Sequence, residues 1–163
     1  MDIDSVRILE LEPEQWDRFR AIRLRALAEA PYAFAYTLAD ARGRPEQSWR
    51  DLLAARTLFL ATTGELDLGT IGVATIGGGA HIMAMWVAPD ARGTGVADLL
   101  VRTVLDWATR TGHPRADLEV SDGNIAAERL YHRHGFRRTG AVRPISDTDP
   151  RLEFDMTLTL AQG

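Results

Sequence analysis

Cysteine is absent from all 163 residues, so disulfides, thiolate-bound zinc and a thiol nucleophile are excluded. A long apolar run is absent too, because nothing approaches the roughly 20 residues that a membrane-spanning helix requires. The opening residues, Met1-Asp2-Ile3-Asp4-Ser5, are acidic and lack the apolar core of a secretory signal. Positive charge is not in surplus: a formal net charge of −4 is the reverse of the usual nucleic-acid binder. Internal repeats, linkers and low-complexity stretches are missing, and the length suits one domain with a real core. The expectation is a single cytoplasmic domain over residues 1–163, with neither nucleic acid nor membrane as its partner.

What is present reads as an α+β chain. Residues 6–11 alternate as a first strand, and Pro13 suits the opening of a helix carrying Trp16, Phe19, Ile22, Leu24 and Leu27. The aromatic segment 31–36 is either a cover for the core or one wall of a substrate pocket. Pro45 opens a second short helix through Trp49, Leu52 and Leu53. Residues 57–63, 68–76 and 80–87 are three strands with short glycine-containing breaks, which implies an antiparallel meander. Further on, residues 116–120 form a short strand, 124–134 a helix closed by Gly135, and 136–142 a strand. Residues 144–150 read as a polar loop, and 152–160 alternate as a half-buried strand.

The most informative stretch is 83–100. An apolar run ends at Val87, Pro89-Asp90 breaks it, Arg92-Gly93-Thr94-Gly95 forms a turn, and a helix follows. Val96, Leu99, Leu100, Thr103, Val104 and Trp107 make one helical stripe, and Gly112 with Pro114 stops it. Glycines just before a helix leave its first backbone N–H groups unshielded, and these amides with the positive helix end suit phosphate oxygens. Arg92 adds a fixed charge. A P-loop needs Gly-Lys-Ser/Thr, which Val96-Ala97-Asp98 does not supply. A dinucleotide fingerprint would place glycine where Asp98 stands. A glycine-rich turn without any ligand is the remaining plain alternative.

A further pattern, Arg/Gln-x-x-Gly-x-Gly/Ala, is matched by Arg92, Gly95 and Ala97. Downstream lies Asn124-x-x-Ala127-x-x-Leu130-Tyr131-x-x-x-Gly135-Phe136. Together, over about residues 83–136, these motifs resemble the GCN5-related N-acetyltransferase superfamily. The resemblance implies a mixed, mostly antiparallel sheet that splays between the strand ending at Val87 and the strand ending at Val120, with acetyl-CoA in the gap. It implies that Arg92, Gly93, Thr94, Gly95, Val96 and Ala97 cradle the diphosphate, that Val87 offers backbone to pantetheine, and that Asn124 reaches the cofactor arm. It also implies that Tyr131 protonates the departing thiolate, and that the protein pairs as a homodimer.

The general base is less determined. The strand before the glycine loop carries no acid, whereas the family commonly has a carboxylate there. His81 titrates in the right range, although a surface histidine is the plainer description. Glu119 and Asp117 alternate with Leu118 and Val120, so they face either the cleft or solvent; Asp122 and Asp155 are weaker candidates. Arg129 and Arg133, four apart on one helix face, are placed to meet the adenosine 3′-phosphate or to form a solvated face. The expected activity is direct acetyl transfer from acetyl-CoA to a primary amine of a small molecule or peptide. The alternatives are a non-catalytic acyl-CoA sensor, favoured by the missing strand carboxylate, and a transferase using a longer acyl-CoA.

Overall fold

The computed structural model describes residues 2–31, 34 and 36–161. Its frame is a sheet of β1 (Arg7–Glu10), β2 (Thr57–Thr62), β3 (Asp67–Ile76), β4 (Gly79–Val87), β5 (Arg115–Ser121), β6 (Arg137–Ser146) and β7 (Asp149–Thr159). The spatial order is β1-β2-β3-β4-β5-β7-β6, antiparallel throughout except for the β4–β5 pair. The helices are α1 (Trp16–Glu29), α2 (Leu38–Arg42), α3 (Glu46–Ala55), α4 (Val96–Arg110) and α5 (Ile125–Arg133).

Period-two alternation along β2 divides the core. Leu58 and Leu60 pack with Phe19, Ile22 and Leu27 of α1 and Trp49 of α3, whereas Phe59 and Ala61 join Val96, Leu100 and Val104 of α4 on the other side. Helices therefore cover both faces, with the apolar stripe of α4 (Val96, Leu100, Val104, Ala108) fully buried. The meander of β2, β3 and β4 is as expected, and α4 is the crossover that makes β4 and β5 parallel.

Two details of β4 set it apart from the other strands. Gly72 faces Met83 but Thr70 faces Trp86, so β4 carries an extra residue and the register skips Ala84 and Met85. Ala84 has φ +57°, the only positive φ among the described non-glycine residues, and its carbonyl accepts from the Thr70 hydroxyl at 2.8 Å. Beside this bulge β4 leaves β5: only Ala80↔Ala116 and His81↔Asp117 are paired, and the strands then part. The expected splay is present.

Two boundaries and one short helix differ from expectation. Residues 144–150 are not a loop, because β6 runs to Ser146 and β7 starts at Asp149. Pro144 suggests a break, yet β6 is an edge strand, where a missing N–H facing solvent costs little. Pro13 lies in a 3-10 turn, Pro13–Gln15, and α1 begins only at Trp16. The short helix α2 was unanticipated; its signal is the pair Thr37 and Asp40, whose side chains bond each other's backbone N–H at 3.0 and 3.4 Å. Of the aromatic segment 31–36, Tyr32, Ala33 and Ala35 lie outside the described residues.

Candidate active site

The loop before α4 has the geometry its glycines suggest. Gly93 and Gly95 take φ +77° and +98°, a region that other residues rarely adopt, and a Cβ on Gly93 would meet nothing within 4 Å. The first intrahelical bond runs from Leu99 N–H to the Gly95 carbonyl at 3.0 Å, so the amides of Val96, Ala97 and Asp98 have no helical acceptor. The Thr94 hydroxyl donates to the Ala91 carbonyl, which leaves Thr94 only its backbone to offer. Asp98 would repel an anion here, but Arg133 at 3.0 Å and His134 at 2.7 Å hold it. Burial pushes the Asp98 pKa up, the bonds from His134 and Arg133 outweigh it, and the net shift is downward.

Several expected cofactor contacts are engaged within the protein. Arg92 donates to the Val87 carbonyl at 3.0 Å and to Glu29 at 2.7 Å, and Glu29 also accepts from the Trp86 indole at 2.9 Å. Arg92 thus ties the end of β4 to α1, and the Val87 carbonyl is already used. Arg133, with 58% of its side chain exposed, pairs with Asp98, the acid in the first turn of α4, while remaining on the solvated face. Arg129, by contrast, forms no ion pair among the described residues. Asn124 caps α5, its Oδ1 accepting from Ala127 N–H at 3.2 Å, and also lines the cleft between β4 and β5.

That cleft holds a cavity of ≈ 180 Å³ walled by Met83, Met85, Leu118, Val120, Asn124 and Tyr131, among others. Tyr131 is 6 % exposed and meets Phe136 edge-on, with ring centroids 5.7 Å apart. Burial drives its phenol pKa far above the ordinary 10. On the α1 and α3 side of the sheet lies a second cavity of ≈ 360 Å³, bounded by Arg23, Phe34, Tyr36, Arg56, Ile145 and Glu153. Both cavities are also lined by Phe34, Met83, Ala84, Glu119 and Ser121, so they meet at the β4 bulge.

Glu119 stands at this junction and bonds His81 Nε2 at 2.9 Å. The Glu119 bond is the largest influence on His81 and raises its pKa, against desolvation and with help from Asp117 and Asp155. Asp117 is committed elsewhere, to Arg115 at 2.9 Å and the Thr157 hydroxyl at 2.8 Å, and Asp155 pairs with Arg143 at 2.9 Å. β4 carries no carboxylate, and the acid that bonds its histidine, Glu119, stands on β5. Sequence reasoning missed the Ala84 bulge and the arginines of the second cavity. Nothing local marks Ala84, but Arg23 lies within the stripe Phe19, Ile22, Ala26, Leu27, and a charge on a buried helical face is a readable signal.

Comparison with known proteins agrees with this geometry. Residues 11–136 match the model of the "Acetyltransferase (GNAT) family". The mycothiol acetyltransferase of Brachybacterium faecium is 33% identical over 125 residues, which cover 74% of this chain and 37% of that protein. The chain thus spans well under half the length of this curated relative. Among solved structures, a GNAT-family acetyltransferase from Streptococcus pneumoniae superposes with a TM-score of 0.81 at 18% identity, covering 96% of this chain and 99% of that one. Salmonella typhimurium yncA, solved with its cofactor acetyl-CoA, superposes with a TM-score of 0.77 at 18% identity, covering 97% and 95%.

Proposed function

This chain belongs to the GNAT acetyltransferase family, and from that premise we propose that it transfers the acetyl group of acetyl-CoA directly to a primary amine of a small molecule or peptide. The observation that carries the proposal is the meeting of two cavities at the Ala84 bulge, where β4 parts from β5. A thioester arm entering from the α4 side and an amine entering from the α1 side reach each other only there. The diphosphate sits on the amides of residues 93–98, and the amide-rich arm pairs with strand backbone that the splay leaves free. Met85, skipped by the β3 register, suits that pairing better than Val87, whose carbonyl Arg92 occupies.

Each proton then has a route. Glu119, directly or through His81, takes a proton from the acceptor's ammonium, and the freed nitrogen attacks the acetyl carbon. When the C–S bond breaks, the sulfur takes the phenolic proton of Tyr131, and the second proton of the acylated nitrogen, passed on through solvent, restores the phenol. A buried phenol with a raised pKa is a weak acid beside a thiol of pKa about 8.5, so the proton moves only as the thiolate departs. No enzyme-bound acyl intermediate is needed, and no cysteine is present to form one. Arg129 remains available to the 3′-phosphate. The missing strand carboxylate favours the sensor alternative; the Glu119–His81 pair beside the junction of the cavities supports the transferase reading instead. A homodimer and a cytoplasmic location belong to the same reading; light scattering tests the first.

The test is thiol release from acetyl-CoA over a panel of amines. Tyr131→Phe is expected to lower kcat by about 100-fold, the usual scale for a general acid, with CoA binding by calorimetry unchanged. Equal turnover by parent and variant would remove Tyr131 from the mechanism. Failure of CoA to bind would remove the transferase reading itself.

A further inference from the structure

The second cavity contains more positive charge than its surroundings balance. Arg23 is 5 % exposed, and its Nε donates to the Tyr36 hydroxyl at 2.7 Å while its guanidinium lies 4.3 Å above the Phe34 ring. Among the described residues its Nη1 has no hydrogen-bond partner, nor does Nε of Arg56, whose Nη1 reaches the Met83 sulfur at 3.1 Å. Arg44, also on the cavity wall, lies over Tyr36 with 5.4 Å to the ring centroid. Among the described residues, no carboxylate forms an ion pair with any of these three arginines. Desolvation is the main influence lowering the pKa of Arg23 and of Arg56, and repulsion from Arg44 lowers both further, with Arg56 also acting on Arg23.

A buried guanidinium without a counter-ion is costly, and so is an unmade hydrogen bond from it. Packing alone does not call for a buried Arg23 with the half-buried Arg44 and Arg56 around one cavity. Glu119 of β5 and Glu153 of β7 line the same cavity; Glu153 also accepts from Arg143 at 3.3 Å, yet burial and the neighbouring Glu119 raise its pKa. The cavity thus presents both guanidinium groups and carboxylates, beside the point where the amine must react.

Resting on the transferase reading above, we propose that the acceptor is a small amino-carboxylic acid, its ammonium held by Glu119 and its carboxylate by Arg23 and Arg56. Carboxylate and guanidinium match in geometry, and the bond is charge-assisted. The volume of ≈ 360 Å³ lies at the small end of ligand pockets and suits a single amino acid. A polyamine would bring a second cation against the arginines. A peptide N-terminus has no carboxylate close enough to its nitrogen to reach them.

The experiment compares the twenty amino acids, their methyl esters, and the amines ethanolamine and putrescine, by thiol release from acetyl-CoA. At least one free acid should be a substrate, and its ester should fall in kcat/KM by about tenfold to a hundredfold through loss of the charge-assisted bonds. Arg56→Gln should shrink that acid-to-ester ratio by raising KM for the acid, with little change for the ester and no change in CoA affinity. The ester comparison uses the unaltered protein and does not depend on how the variant folds. Esters or simple amines that match every acid would overturn the proposal. So would an Arg56→Gln effect equal on both, or a protein that binds CoA and acetylates no amino acid. Calorimetry with CoA alone reports separately on the transferase reading, because the arginine cavity lies across the sheet from the diphosphate loop.

Discussion

Replacing Glu119 by glutamine removes one charge and preserves the side chain's shape. Its partner His81 lies 2.9 Å away, with 21% and 35% of the two side chains exposed. At that separation a pair of unit charges interacts by about 1.4 kcal/mol in water and about 6 kcal/mol at an effective dielectric near 20. The exposure of both groups places the pair toward the watery limit, about 1 kcal/mol. The pH dependence has a definite sign. His81 is raised above its ordinary 6.5 chiefly by the Glu119 bond, so the pair's stabilisation is full below that value and disappears as pH rises through the folded pKa. Glu119→Gln should therefore cost about 1 kcal/mol, or about 3 °C in Tm, near pH 5.5, and much less near pH 9. The variant's His81 should titrate lower by NMR. In the transferase reading, turnover at neutral pH falls by about 100-fold, because the proposed base is gone. A Tm loss that is flat with pH, or that grows toward alkaline pH, would refute the pairing; an unchanged rate would refute the assignment of the base.

Two other changes probe the frame. Gly95→Ala imposes a side chain at φ +98°, where the new Cβ meets only Ile3 at 3.7 Å, so the cost is conformational, about 1–2 kcal/mol in denaturant melts. CoA affinity should fall further than stability, since relief of the positive φ turns the free amides that follow Gly95 away from the diphosphate. Phe136→Ala empties a site of 0% exposure behind Tyr131 and should cost about 3–5 kcal/mol by urea titration.

The parts legible in the sequence were those with local signals. The stripe of α4 and its leading glycines specify a helix start whatever surrounds it. The motif 124–136 places Tyr131 one turn before a glycine stop, and the alternation of 152–160 marks β7. The parts that were not legible depend on strand partners. Glu119 faces the cleft only because β5 pairs with β7 on one side and leaves β4 on the other. The Ala84 bulge is a counting mismatch between two strands, invisible in either alone. The true partner of Arg92, Glu29, is 63 residues distant in the chain. Pro144 misled because a proline's effect depends on whether its strand lies at an edge.

The central claim is that the backbone amides at the start of α4 grip the diphosphate of CoA. An ¹⁵N-labelled sample titrated with CoA measures this directly, amide by amide. The largest shifts are expected at Gly93, Gly95, Val96 and Ala97, with smaller ones at Asn124 and Tyr131 along the cleft. Saturating CoA that leaves those amides unmoved, or that shifts another surface, would contradict the account.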